Sequence, residues 1–174
     1  MNQEMKEYQS VTEATDFTRL AGKYLTFILG RESYGLDILK VQEIISLGKI
    51  TRVPRSPAFV KGIINLRGKI IPVVDLRLKF GMAEAEYTNK SSIIVVDLFV
   101  NDQSLAIGMI VDTVREVMHF EAAKLEPSPK YGLNVDTDFV KALGKLNEEV
   151  VILIDIDKVL SKTDGQALAK VAIE

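Results

Sequence analysis

The chain carries one histidine and no cysteine, so the residues that could do chemistry are few. His119 stands between Met118 and Phe120 at the end of a strand-like run. A general base needs a nucleophile and a positioned partner beside it, and the sequence offers neither, so His119 reads as a structural or surface histidine. Asp155-Ile156-Asp157 would put two carboxylates on one face of a strand, the beginning of an oxygen-ligand site. Calcium takes about six to eight oxygen ligands and this run supplies no more, so a solvated strand end is the expectation. Asp112, Asp136 and Asp138 fall in predicted turns, where aspartate is common for local reasons. There is no Gly-x-Ser-x-Gly elbow and no phosphate-cradling glycine-rich loop. The residue that survives this search is Arg67, in Leu66-Arg67-Gly68-Lys69. A guanidinium stays charged and presents several donors in a fixed fork. At a turn it is either a solvated cation or an interface contact of the kind enriched at binding hot spots.

The elements that must position Arg67 are two apolar runs, Gly62 to Leu66 and Ile70 to Val74. Both are rich in β-branched residues and read as paired strands. Gly68 supplies the positive φ of a tight turn. Asn65 either braces that turn through the local backbone or binds a partner. Pro54 and Pro57 break regular structure just before the hairpin. Pro72 has no amide proton, so its strand should be an edge strand or carry a bulge there.

Along the rest of the chain, Met1 to Ala21 is polar and weakly patterned, a mobile tail or loose helix. Tyr24 to Leu29 and Tyr34 to Ile38 read as strands around a Gly30-Arg31-Glu32-Ser33 turn. Leu39 to Ser46 fits both a helical face and strand alternation, and strand is preferred. Leu76 to Phe80 reads as a helical turn ending at Gly81, followed by a polar connector to Lys90. Ser92 to Val100, Leu105 to Val111 and Val114 to Phe120 read as strands, the first two joined by an Asn101-Asp102 turn. Glu121 to Thr137 is a long loop with Pro127, Pro129 and Gly132. Phe139 to Leu146 and Val150 to Ile156 form a late hairpin, and Lys158 to Ile173 a helix interrupted near Gly165.

The two halves repeat each other. Phe59-Val60-Lys61 returns as Phe139-Val140-Lys141, and at the same offset Leu66 meets Leu146, Val73 meets Leu153, Val74 meets Ile154 and Asp75 meets Asp155. Val41-Gln42-Glu43-Ile44 returns as Val114-Arg115-Glu116-Val117, with Gly35 meeting Gly108 at that second, shorter offset. Two copies of one short-strand pattern imply two similar small barrels or sheets, each too small to be very stable alone and so packed on the other. The apolar positions recur in both copies. Asn65, Arg67, Gly68 and Pro72 do not recur: Lys145, Asn147, Glu148 and Ile152 stand in their places. A residue type missing from its equivalent position is not demanded by the scaffold and is a better candidate for a task.

Composition sets the outer bounds. The 174 residues are 47% hydrophobic but only 7% aromatic, with no tryptophan, so the core is expected to be aliphatic. Charged residues make up 26% of the chain and nearly balance, for a net charge of −2. That lacks the basic excess of a nucleic-acid binder. The absence of cysteine excludes disulfides and thiolate metal sites and suits a cytosolic protein. The N-terminus is polar and acidic, unlike a signal peptide, and the apolar runs are too short to span a bilayer as helices.

Phe59-Val60-Lys61-Gly62-Ile63-Ile64-Asn65-Leu66-Arg67-Gly68, followed by Ile71-Pro72-Val73-Val74-Asp75-Leu76-Arg77, resembles the signature of the CheW-type chemotaxis coupling proteins. Tyr34-Gly35-Leu36-Asp37-Ile38 and Val41-Gln42-Glu43-Ile44 carry the same likeness, which runs from about Lys23 to Leu160. The resemblance implies an all-β fold: two similar five-stranded SH3-like barrels packed on each other, with short helices and a C-terminal helix. The expected organisation is a mobile tail over residues 1–21, a first barrel half over 22–85, a second over 86–160, and a C-terminal helix or tail over 161–174, strand exchange between the halves being allowed. At this length the chain resembles the stand-alone form, without a fused receiver domain. The resemblance further implies a non-catalytic adaptor without cofactor or metal, cytoplasmic, and reaching the membrane only through its receptors. It would couple the cytoplasmic tip of methyl-accepting chemotaxis receptors to the regulatory domain of a CheA-like histidine kinase.

The site assignments follow from the same likeness. Receptor contacts fall to Arg67, Asn65, Glu43, Val41, Val114 and Val117, around a groove between the barrels. Kinase contacts fall to Ile44, Ile45 and Lys61 on the first barrel. Simple core packing is the alternative reading of the three valines. A different class of function stays open as well: a small-molecule-binding protein, which would need convergent polar groups in the inter-barrel cleft, or a general protein-interaction β-barrel module.

Overall fold

The computed structural model describes residues 17–128, 138–160 and 162–173. Met1 to Asp16, and with them most of the expected tail, lie outside the described residues, as do Asp136, Pro129 and Gly132 of the long loop. The strands are β1 (Gly22–Leu29), β2 (Glu32–Asp37), β3 (Val41–Ser46), β4 (Val60–Leu66), β5 (Lys69–Asp75), β6 (Ser92–Val100), β7 (Gln103–Val111), β8 (Thr113–Phe120), β9 (Leu125–Glu126), β10 (Val140–Leu146) and β11 (Glu149–Ile154). Residues 17–20 form a helical turn before β1, and the later helices are α1 (Leu76–Lys79), α2 (Ile156–Val159) and α3 (Lys162–Ile173), with 3-10 turns at Ile38–Lys40 and Ala122–Lys124.

The strands form two sheets, a six-stranded one in the order β8-β1-β2-β11-β10-β9 and a five-stranded one in the order β3-β6-β7-β5-β4. The two-residue β9 is the extra strand. Each sheet draws on both halves of the chain. The β1–β2 hairpin joins the later strands through a parallel β2–β11 pair, and the β6–β7 hairpin joins the earlier strands through a parallel β5–β7 pair. The repeat is exact enough to place glycine at both junctions: Gly35 lies opposite Leu153 and Gly108 opposite Val73. A Cβ on Gly35 would sit 2.6 Å from Leu153 Cδ2, and one on Gly108 would sit 2.7 Å from Ile93 Cγ2. Both glycines therefore let sheet and core approach more closely than a side chain would.

Three apolar clusters hold the fold. Ile64, Ile71, Val73, Ile93, Val95, Ala106 and Ile110 fill the interior of the five-stranded unit. Tyr24, Phe120, Leu125, Ala142, Val151 and Leu153 fill that of the six-stranded unit. The largest cluster lies between them and takes Leu25, Phe27, Leu36, Val74, Ile94, Val96, Ile107, Met109, Ile154 and, from α3, Leu168. This explains the unbroken apolar runs. Along β6, Ile93 and Val95 point into the barrel while Ile94, Val96 and Leu98 point at the other unit, so alternation disappears because both faces are buried. The inter-barrel layer is not purely aliphatic. Phe27, Tyr34, Phe80 and Phe139 stack in file, with successive ring centroids 5.8, 5.5 and 4.9 Å apart.

Several local expectations are corrected. The first turn is only Gly30-Arg31, because β2 already starts at Glu32. The segment Leu39 to Ser46 divides into a 3-10 turn and a strand. β11 ends at Ile154, and Ile156 opens α2, because Asp155 caps that helix by accepting the Asp157 amide at 3.0 Å. Asp155-Ile156-Asp157 is thus a helix start, not a strand end. The helical C-terminus does not break at Gly165, which lies inside α3. A Cβ there would meet Val100 Cγ2 at 3.0 Å, so glycine lets the helix lie close to β6. β5 is an inner strand of its sheet, yet its ladder with β7 begins only at Val73. Pro72 therefore stands just outside the span where β7 would need its missing amide proton.

Candidate functional site

The β4–β5 turn is built by its own sequence. Arg67 has φ 54° and Gly68 φ 83°, the paired positive values of a two-residue hairpin turn whose twist matches its strands. Asn65 Oδ1 accepts the Gly68 amide at 2.8 Å; Asn65 braces the turn. The equivalent of Arg67 on the other unit, Asn147, takes the same backbone at φ 56°. Asparagine visits this region readily and arginine does not.

Glu43 on β3 grips Arg67 in fork geometry, Nη1 to Oε1 at 3.0 Å and Nη2 to Oε2 at 2.6 Å. The Arg67 side chain remains 74% exposed while the Glu43 side chain is 25% exposed. The hydrogen bonds that Arg67 donates to Glu43, and then the charge of Glu43, push the Arg67 pKa up from its ordinary value. The pair therefore presents a fixed, fully charged cation at the surface of the five-stranded unit, with its direction set by a carboxylate rooted in a strand.

The other predicted residues divide by the cluster they touch. Val41 at the head of β3 and Val114 on β8 are half-buried against the inter-barrel core. They belong to different sheets, and their strand partners Val96 and Phe27 both lie in that core. Val117, also on β8, is 48% exposed. Ile45 packs instead on the interior of the five-stranded unit, and its neighbour Ile44 is 44% exposed. Lys61 on β4 is not free: its Nζ lies 2.6 Å from Glu84 of the connector. His119 is exposed on β8 opposite Lys23. Among the described residues no cluster of histidine and acidic side chains could hold a metal ion, and no helix is long and apolar enough to cross a membrane.

Among the described residues, the two most exposed of the large apolar ones were missed. Leu39 is 87% exposed in the 3-10 turn, two residues before Val41, and Phe99 is 67% exposed near the β6–β7 turn. Leu39 could have been found from Asp37, which accepts the Leu39 amide at 3.0 Å and tightens the chain into a turn just where the pattern looked ambiguous. Phe99 gave no such sign, because it continues an apolar strand.

Comparison with known proteins agrees with this architecture. The family model of the CheW-like domain matches residues 23–164. The chemotaxis protein CheW of Klebsiella aerogenes is 38% identical over 160 residues, covering 89% of this chain and 94% of that protein. The chemotaxis protein CheW of Helicobacter pylori is 34% identical, with 80% of this chain and 82% of that protein covered. Among solved structures, the scaffolding protein TtCheW from Thermoanaerobacter tengcongensis superimposes with a TM-score of 0.72 at 38% identity, over 83% of this chain and 95% of that one. With a family match across most of its length and a shared two-unit fold, the chain belongs to the CheW-like domain family, the non-catalytic adaptors that couple chemoreceptors to the CheA kinase.

Proposed function

We propose that the helical cytoplasmic tip of a methyl-accepting chemotaxis receptor docks along the furrow bounded by Val41 on β3 and Val114 on β8, with Val117, Asn65 and the Arg67–Glu43 pair on its rim. The regulatory domain of a CheA-like kinase takes the outer side of β3 and β4, where Ile44 and Lys61 stand, with Ile45 supporting them from the interior of the five-stranded unit. The adaptor then works in the cytoplasm, held at the membrane by the receptor array. The observation that carries this reading is the division of the valines. Val41 and Val114 come from different sheets, yet both lie half-buried on the one inter-barrel cluster. Ile44, by contrast, is 44% exposed and belongs to neither the inter-barrel cluster nor the interior one, while Ile45 looks inward. Two ligands can therefore be held at once on separate surfaces, which an adaptor requires.

The test is a titration of the purified chain with a receptor-tip fragment and a kinase regulatory domain, separately and together. A ternary complex is expected. Ile44→Asp should weaken kinase binding about tenfold, an ordinary loss for an interface anchor, while receptor binding stays within about twofold of the parent. Mutual competition between the two ligands would sink the bridging reading.

A further inference from the structure

The chain passes between the two sheets twice among the described residues, and an ion pair stands at each passage. After β7, the crossing residue Asp112 accepts Arg77 of α1 at three distances, Nε to Oδ1 at 2.8 Å, Nε to Oδ2 at 3.0 Å and Nη2 to Oδ2 at 2.7 Å. It also accepts the Gly30 amide of the β1–β2 turn at 2.8 Å, so it ties both units together. After β2, the crossing residue Lys40 meets Asp157 of α2 at 2.9 Å. The two places are equivalent. α1 follows β5 and is capped by Asp75, while α2 follows β11 and is capped by Asp155. Arg77 and Asp157 each donate their amide to that cap, at 2.9 and 3.0 Å. Each ion pair lies just beyond the ends of a parallel strand pair, β5 with β7 and β2 with β11.

The polarity is inverted between them. One helix carries the cation and its crossing the anion; the other helix carries the anion and its crossing the cation. If each hairpin stayed with its own half, β2 would lie beside β5 and β7 beside β11. Arg77 would then face Lys40, and Asp157 would face Asp112. Both attractions would become repulsions. We infer that Arg77, Asp112, Lys40 and Asp157 are positioning residues that select the exchanged strand pairing and thereby fix the furrow walls β3 and β8. Val41 follows Lys40 directly, and Val114 stands two residues beyond Asp112. Each pair is partly exposed, with side chains 19% and 29% accessible for Arg77 and Asp112 and 40% and 37% for Lys40 and Asp157. Singly they add modestly, but discrimination depends on the difference between two arrangements, and sign reversal at both contacts enlarges that difference. The link to receptor binding rests on the furrow reading proposed above; the selection of strand pairing does not.

The chain has no cysteine, so Ser46→Cys on β3 and Glu116→Cys on β8, both exposed positions, can carry a clean pair of spin labels across the furrow. Pulsed dipolar spectroscopy then reads the wall-to-wall distance distribution, with thermal unfolding followed on the same samples. Lys40→Asp combined with Asp112→Lys makes both contacts like-charged in the exchanged fold. It should broaden or shift the distribution, lower the melting temperature and weaken receptor-tip binding about tenfold. Adding Arg77→Asp and Asp157→Arg restores opposite charges at both places and should bring the distribution back towards the parent's, short only of the Gly30 amide contact that a lysine at position 112 cannot accept. The milder variant Lys40→Ala, at the more exposed pair, should broaden the distribution without unfolding the chain. An unchanged distribution in the charge-swapped pair, or no recovery with all four substitutions, overturns the inference. An altered distribution with unaltered receptor binding upholds it and overturns the furrow reading instead.

Discussion

Arg67 occupies a backbone position that favours other residues. Its φ of 54° is matched at the equivalent turn by Asn147 at 56°, and asparagine is among the few non-glycine residues at home there. Retaining an arginine makes structural sense only through its side chain, and that side chain is exposed and held by Glu43. Arg67→Asn is therefore expected to keep or slightly raise the melting temperature while weakening receptor binding roughly thirtyfold, the loss of a hot-spot arginine. Arg67→Ala should leave unfolding nearly unchanged, as surface substitutions usually do, and lose the same binding. Melting curves and receptor titrations on one preparation of each variant decide this. Normal binding by Arg67→Asn would remove Arg67 from the interface. Glu43→Gln separates aim from charge, since it leaves the guanidinium but weakens the fork; a smaller loss than for Arg67→Asn is expected, read in the same titration.

The glycines at the two parallel junctions make the repeat testable in the strands themselves. Gly35→Ala would press a methyl to 2.6 Å from Leu153 Cδ2, overpacking that costs about 1–3 kcal/mol. Leu153→Ala alone should cost about 2–5 kcal/mol by opening a cavity. Together they should cost about 1 kcal/mol less than the sum, because each relieves the other. Urea unfolding of the four proteins measures the coupling, and strict additivity would mean that close packing is not the reason for glycine at this position. The existence of the strands was legible in the sequence, since β-branched runs and turn residues are local signals. Their sheet membership was not, because exchange of the β1–β2 and β6–β7 hairpins is decided by contacts distant in sequence. The capped helix at Asp155 was legible in principle. Asp75 sits at the equivalent point and also starts a helix, but Ile152 to Ile156 continues an apolar strand pattern that outweighed it. The Arg67 turn was readable from Gly68, whereas the burial of Val41 and Val114 on one shared cluster required the packed units.

Assembly of the two units has a pH signature that can be worked out from Asp112. Burial opposes its ionisation, but hydrogen bonds from Arg77, the Gly30 amide and the charge of Arg77 outweigh that and hold its carboxyl below the usual value. An aspartate with a folded pKa below its unfolded value of about 3.9 binds fewer protons folded than unfolded. It therefore contributes stability that is complete above that unfolded value and lost as the pH falls through the folded one. Asp112→Asn keeps the shape and removes the charge, leaving Arg77 without its partner. Near neutral pH it should cost about 1–2 kcal/mol, below the figure for a fully buried pair because both side chains retain some solvent access. Glu149 is also held low, first by its hydrogen bond from Ser33, but it is present in both proteins, so the difference between them isolates Asp112. Urea unfolding in steps from about pH 7 to pH 2 should show the two stabilities converging below about pH 4. A gap that stays constant through the acid range would mean that the carboxylate charge of Asp112 does not hold the two units together, and that the shape of its hydrogen bonds alone does.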